Sequence, residues 1–358
     1  MSNLFDVLRG KAPEKRYSVN DYQWWLEENG GGYFSTANAY METESVPNSF
    51  VGYASLFKQN SVVFSAMSKR AKIFSEARFQ FQRLDKGRPG DLYGTRELSL
   101  LESPWPNGTT GELLSRMLQD ADLAGNAYVV RESPTRLRRL RPDWVTIVLT
   151  AAPAVAVQSD VKGYMYHPGG VGSGAEIETY TVDEMVHWSP EPDPEAQYRG
   201  MSWLSPIIRE TQSDNAATEH KKKFFENGAQ LGTVLTLGES VTKDQFKEWV
   251  RKFREAHQGV RNAYEPLFLG GGADAKVVGA DLKQLDFKAI TGAGETRIAS
   301  ASGLNAVILA FSEGMQGSSL NAGNFAASRR LAADTCLRPL WRSAAAALAS
   351  VIRVPSGS

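Results

Sequence analysis

The chain has a single cysteine, Cys336, and four histidines. One cysteine excludes an intrachain disulfide and a cysteine-cluster metal site. His167, His187, His220 and His257 lie far apart and show no metal-ligand spacing. Excess charge is missing too: Lys plus Arg is 40 and Asp plus Glu is 40, a formal net charge of zero. Proteins that grip phosphate backbones tightly carry a basic excess, so tight static binding to nucleic acid is disfavoured. A surface past which nucleic acid slides remains compatible with neutrality. No apolar run approaches the ~20 residues of a membrane span. The first fifteen residues lack the apolar core and cleavage site of a secretory signal. These absences predict a soluble protein of cytoplasmic origin, with no membrane association, no metal and no cofactor.

Catalytic motifs are also missing. Gly270 to Val277 imitates a phosphate-binding loop, but Ala275 stands where glycine is needed and Val277 where Ser or Thr is needed. Gly200-Met201-Ser202-Trp203-Leu204 fails the nucleophile elbow at its last position. A hydrolase using Ser202, or a carboxylate pair such as Asp183 and Glu184, is therefore only an alternative. No catalytic residue is assigned.

What is present is a long polar helix, predicted over 201–230. Ser205 before Pro206 reads as a cap followed by proline at the first helical position, and Asn227-Gly228 as the stop. From Gln212 to Lys223 only Ala216 and Ala217 are apolar. A helix that is polar nearly all round spans solvent between bodies or meets partners by polar contacts. It reads as a strut.

The chain as a whole has 358 residues and 42% hydrophobic content, and the residues up to 200, before the strut, read as a folded α+β body. Residues 1–55, with Trp24, Trp25 and a triple glycine, read as an irregular arm. A helix is predicted over 59–76, with Val63, Met67, Ala71 and Phe74 on one face. A strand follows over 78–84. Thr109 to Glu112 is a capping box opening a helix to residue 124, which Gly125 and Asn126 stop. Strands are predicted near 127–131, 144–149, 155–158, 164–167 and 178–180. His187 reads as a satisfied core histidine. Arg136, Arg138, Arg139 and Arg141 form a basic stretch, read as solvated strand-edge charge with a phosphate patch as the alternative. Residues 189–200 read as a stiff, extended proline-rich linker.

After the strut, a β-α-β-β insert is predicted, with strands at 231–237, 266–269 and 276–278. Its helix opens at a Thr242–Gln245 capping box and carries Phe246, Trp249, Val250 and Phe253 on one face. It is too small to be stable alone, so copies of it are expected side by side. A returning helix is predicted over 281–309, then a glycine-rich loop, then a last helix from Asn324 to about Ile352, kinked at Pro339. That helix carries Arg329, Arg330, Arg338, Arg342 and Arg353 against the single acid Asp334.

The order of these parts, together with five short motifs, resembles the HK97-like portal proteins of tailed bacteriophages, from about Val62 to Leu348. The motifs are Gly200 to Ile207 (GMSWLSPI), Phe224 to Ala229 (FFENGA), Leu123 to Tyr128 (LAGNAY), Leu140 to Asp143 (LRPD) and Leu337 to Trp341 (LRPLW). The resemblance implies a portal fold. Its parts would be an arm and wing over 1–200, a first stem helix over 201–230, a small α/β clip over 231–282 and a second stem helix over 283–310. A tunnel loop would follow over 311–322, then a kinked helix over 323–358 toward the wing, with a minimal or absent crown.

It further implies a non-enzymatic ring, usually a dodecamer, at one capsid vertex of the virion, assembled in the host cytoplasm. Double-stranded DNA would pass through it during packaging and ejection, and terminase, the major capsid protein and a head-tail adaptor would be its partners. Another ring-forming head-tail adaptor is the nearest alternative. On this reading Glu313, Met315, Gln316, Ser318, Ser319 and Asn321 line the channel. Lys221, Lys222, Lys223, Phe246, Trp249, Phe253, Asp286 and Glu295 form subunit contacts.

Overall fold

The computed structural model describes residues 42–45, 50–86, 88–226, 233–236, 274–277, 287–310 and 322–355, with scattered positions between 242 and 251. The chain divides into two compact units. One comprises Met1–Ile208 with Ile298–Ser358, and the other Arg209–Arg297. The first is called the body here and the second the strut unit.

The body is α+β with antiparallel sheets. Strand β1 (Thr43–Ser45) leads to helices α1 (Phe50–Gln59) and α2 (Ser61–Phe74), then to a hairpin of β2 (Phe81–Asp85) and β3 (Arg88–Tyr93). Helix α3 (Ser99–Glu102) and the longer α4 (Thr110–Ala124) follow. Strands β4 (Ala127–Ser133), β5 (Arg136–Leu140), β6 (Val145–Leu149), β7 (Val161–Tyr166), β8 (Glu178–Tyr180) and β9 (Met185–Trp188) complete two sheets. Their orders are β1-β6-β7-β8 and β5-β4-β9.

Strand β4 shows why the body is built around it. Successive side chains point to opposite faces. Ala127 and Val129 join a core with Phe74, Leu114, Leu118 and Leu340, whereas Tyr128 and Val130 join another with Ile147 and Tyr164. Both faces of β4 are covered, so its first four residues are all buried.

Several expectations are corrected here. The predicted arm is partly helical: α1 buries Phe50 and Tyr53. The helix predicted over 59–76 is α2, Ser61–Phe74, and it starts two residues later than expected, because Gln59 ends α1 and the Asn60 side chain caps α2 by accepting hydrogen bonds from the Val62 and Val63 amides. Residues 155–158 are not a strand. They belong to the β6–β7 connection, where the Val155 amide bonds Ala152 O at 3.1 Å and Val155 and Val157 are exposed. The linker 189–200 is not extended. Pro192 pairs with Gly200, and the buried Glu44 carboxylate accepts from the amides of Gln197, Tyr198 and Arg199 at 2.7–3.0 Å. Three prolines stiffen the segment, but a buried acceptor decides where it goes.

Helix α5 (Ile208–Glu226) and most of α6 (Phe287–Ala301) belong to the strut unit, as do β10 (Thr233–Thr236) and β11 (Asp274–Val277), which pair antiparallel. The predicted continuous return helix stops at Ala301. Gly303 takes φ +76° and the chain restarts as α7 (Ala306–Leu309), capped by Asn305. The last helix is α8 (Ala322–Ala332), a π-helical turn at Ala333–Leu337, and α9 (Arg338–Leu348). Pro339 is the second residue after that turn. A proline has no N–H and its ring crowds the carbonyl four residues back, here Thr335, so the wider π turn absorbs the irregularity that the sequence assigned to a kink.

Candidate functional site

The long polar helix leaves the body at a joint of residues drawn from five parts of the chain. Gly125 ends α4 with φ +72°. A side chain on Gly125 would run into the backbone of Gly200 and Met201, and one on Gly200 would run into Gly125 O and sit 2.8 Å from Ser189 Cβ. The two glycines allow two backbones to touch. Fully buried Asn126 locks them. Its Oδ1 accepts from the Gly200 amide at 2.8 Å, and its Nδ2 donates to Ala124 O and Gly200 O at 2.9 and 3.1 Å. Because that oxygen only accepts, the His187 ring nitrogen 2.9 Å away donates. His187 also stacks on Tyr128, with centroids 4.7 Å apart. Burial lowers its pKa to about 4, so it is a neutral core histidine, as its strand context predicts.

Beneath this contact lies a buried ion pair. Arg70 Nη2 donates to Asp122 Oδ1 at 2.9 Å and Arg70 Nε to Oδ2 at 3.2 Å. Arg70 Nη1 also donates to Ser302 O and lies 3.4 Å from Cys336 Sγ, while the guanidinium sits 5.9 Å from the Trp203 ring centroid. Burial alone would lower the arginine pKa, but Asp122 and the other nearby groups outweigh it and the net shift is upward. The Asp122 carboxyl is raised overall, because burial outweighs the pull of Arg70. Cys336, the lone thiol, is raised chiefly by its burial. The pair ties α2, α4, the end of α6 and the π turn together at one point.

Ser202 belongs to this joint and not to a catalytic site. Its hydroxyl is buried, donates to Asp122 O at 2.6 Å and accepts from the Leu204 amide at 3.1 Å. Ser205 is not the side-chain cap the sequence suggests. Ser205-Pro206-Ile207 form a 3₁₀ turn before α5, and the Ser205 hydroxyl accepts from Tyr53 OH at 3.0 Å. The basic stretch is neutralised rather than presented. Arg136 pairs with Glu132 at 2.9 Å, Arg138 with Glu178, Arg139 with buried Asp120, and Arg141 with Asp143 at 2.7 Å. These carboxylate partners support the reading as strand-edge charge.

Along the strut the charges are arranged differently. Lys221, Lys222 and Lys223 are exposed on the last turns of α5, and Lys223 lies 3.6 Å from Glu219 one turn back. Arg297, near the end of α6, is 3.8 Å from Glu210 in the first turn of α5, so the start of one helix meets the end of the other. Glu295 is half-buried on α6. Thr242 and Gln245 form the expected capping box, with the Thr242 amide 3.0 Å from Gln245 Oε1. Phe246, Trp249, Phe253 and Asp286 lie outside the described residues, as do Glu313, Met315, Gln316, Ser318, Ser319 and Asn321. Among the described residues no helix is long and apolar enough to cross a membrane, and no group of His, Cys, Asp and Glu could hold a metal ion.

Sequence reasoning treats the segments around Gly125 and Gly200 as separate motifs and misses that they touch. It misses Arg70 entirely. The signal is there: Arg70 falls three residues after Met67 and four before Phe74, inside the apolar stripe of α2, where a charge needs a buried partner.

A family model described as "Phage portal protein" matches residues 61–354. No curated protein matches the chain. Among solved structures, a chain from the virion of a native gene transfer agent particle is 23% identical, with TM-score 0.59, over 85% of this chain and 81% of that one. A chain from the neck of the native particle, computed with C12 symmetry, is also 23% identical, with TM-score 0.59, over 86% and 81%. An HK97 family phage portal protein from Corynebacterium diphtheriae is 12% identical, with TM-score 0.53, over 83% and 90%. At such identities the likeness is one of fold.

Proposed function

The chain belongs to the phage portal protein family, and from this we propose that it closes into a ring of about twelve copies at one vertex of a virion. The observation that carries the ring is the strut unit. It sets out from a buried, locked joint, yet its own long helix is polar and bears exposed lysines. A rigid root under a polar helix suits a helix meant to line up beside copies of itself. Structural neighbours include particle necks computed with C12 and C6 symmetry, which supports a cyclic assembly.

On this reading 201–230 and 283–310 are the two stem helices, 231–282 the clip, 311–322 the tunnel loop and 1–200 the arm and wing. The stem helices surround a channel for double-stranded DNA. Glu313, Met315, Gln316, Ser318, Ser319 and Asn321 face it, and neutral hydrogen-bonding groups there position a duplex without the counterion-release affinity that would trap it. Lys221, Lys222 and Lys223 pair with Asp286 or Glu295 of a neighbour. Phe246, Trp249 and Phe253 bury clip surface between copies. Terminase and a head-tail adaptor dock on the clip side, the major capsid protein surrounds the ring, and assembly precedes release from the host cytoplasm.

Negative-stain microscopy of the purified chain tests the ring. Closed rings with a central hole are expected, and a compact monomer at micromolar concentration overturns the proposal. Deleting Met315 to Ser319 tests the loop. Shortened or leaking genomes are expected in assembled particles, and normal packaging with normal retention removes the loop from the channel.

A further inference from the structure

The body carries an open groove of about 630 Å³ between α2, α7, α8 and α9. Its floor is apolar, with Ile73, Ile308, Phe325 and Trp341, and Arg329 and Arg330 stand on its wall. Phe325 remains 45% exposed, which is unusual for a large apolar side chain beside a concave surface. Arg338, also at the wall, is already paired with Asp334. The groove therefore offers apolar floor and positive rim together. It calls for a short segment that is aromatic and acidic.

The chain contains such a segment ahead of its first described residue. Residues 17–41 have no Lys, Arg or His. Within them Asp21-Tyr22-Gln23-Trp24-Trp25-Leu26-Glu27-Glu28 places two tryptophans and a leucine between three carboxylates. Strand β1 fixes Thr43 in the body by pairing it with Val148. From Leu26 to Thr43 the chain can span about 55 Å when extended. A compact unit of about 270 residues has a radius of gyration of about 18 Å, so this tether reaches across the body. A tethered segment also acts at an effective concentration of order millimolar, which favours its own chain over a separate copy.

We propose that residues 21–28 dock into this groove of their own chain, with Trp24 and Trp25 against Phe325 and Ile308 and the carboxylates against Arg329 and Arg330. Docking covers the apolar floor and satisfies the arginine-rich last helix, whose basic excess the described body leaves largely exposed. The segment thereby fastens the arm to α8 and braces the helix that follows the 311–322 loop. Groove and segment both belong to one chain, so docking does not depend on ring formation.

The test is a photo-cross-linking amino acid placed at Phe325 of the full chain, with a second probe at Ala326, in an equal mixture of light and heavy-isotope protein. Mass spectrometry is expected to find cross-links to the peptide around 21–28, pairing light with light and heavy with heavy. Changing Asp21, Glu27 and Glu28 to Lys should lower the yield about tenfold, the equivalent of a few surface ion pairs. Adding Arg329→Glu and Arg330→Glu to that variant should restore it. Cross-links confined to other peptides, light-to-heavy pairs, or an undiminished yield in the lysine variant each overturn the proposal. Rings with no such cross-link would overturn it while leaving the portal reading intact, and a monomer with it would do the reverse.

Discussion

The body and the strut unit use charged residues in opposite ways. At the joint and around Glu44, the body buries charges and holds each with several groups. Arg70 meets Asp122, Ser302 O and Cys336, and Glu44 meets three backbone amides. In the strut unit the Lys223–Glu219 and Arg297–Glu210 pairs are long, 3.6 and 3.8 Å, and lie largely in solvent. A buried ion is costly unless fully paired, so it fixes geometry. An exposed ion is nearly free to change partner. The first arrangement fixes one local packing, and the second leaves charged groups exposed along α5 and α6.

The comparison breaks most readily at the joint. Asp122→Ala should destabilise the body by about 3–5 kcal/mol, because it leaves Arg70 buried without its counterion. The Arg70→Met/Asp122→Leu double variant should recover most of that in denaturant titrations. A loss below about 1 kcal/mol for Asp122→Ala would mean that the pair does not anchor the joint. Next in size is Gly200→Ala, whose methyl group meets the Gly125 carbonyl. A loss of about 1–3 kcal/mol is expected from the forced backbone shift, and wild-type stability would show that the contact yields easily.

Acid sharpens the contrast, because among the described residues the histidines and carboxyls with displaced pKa values lie in the body. His167 and His187 are lowered by burial to about 4, below the ordinary histidine value. Their neutral forms favour the fold, so the stability they contribute is present above pH ~6.5 and is lost as pH falls through about 4. Asp120 is raised to about 6, chiefly by burial and against the pull of Arg139. Its protonated form favours the fold, so it acts in the opposite sense, relieving a cost as pH falls from 6 toward 4. Two histidines outweigh one aspartate, and the body should weaken on acidification from pH 6.5 to 4. Asp120→Asn should steepen that loss. Equal unfolding midpoints across this range would contradict the assignment.

The smallest effect on folding belongs to the strut. Glu210→Gln or Arg297→Gln should change unfolding free energy by no more than about 0.5 kcal/mol. Changing Lys221, Lys222 and Lys223 together to Gln should leave body unfolding unchanged and lower the salt concentration at which rings dissociate. If the triple variant melts the body, the strut is part of its core and the comparison fails.

Local patterns are legible in the amino-acid sequence alone. The α4 cap at Thr109 and its glycine stop, the apolar stripe of α2, and the polar length of α5 each follow from spacing and cap chemistry over a few residues, although the Glu112 carboxylate pairs with Arg116 and does not close the expected capping box. The zero net charge and the absence of catalytic spacing come from counting. Tertiary structure decided what those patterns could not carry. It set α1 directly before the Asn60 cap of α2, folded the proline linker onto Glu44, and gave each arginine of β5 a carboxylate partner. It brought Gly125 to Gly200 and placed Arg70 against Asp122. The reason is physical. Caps and periodicity are set by neighbours within one helical turn, whereas the partner of a buried charge or the backbone facing a glycine can lie anywhere along the chain, and only packing selects it.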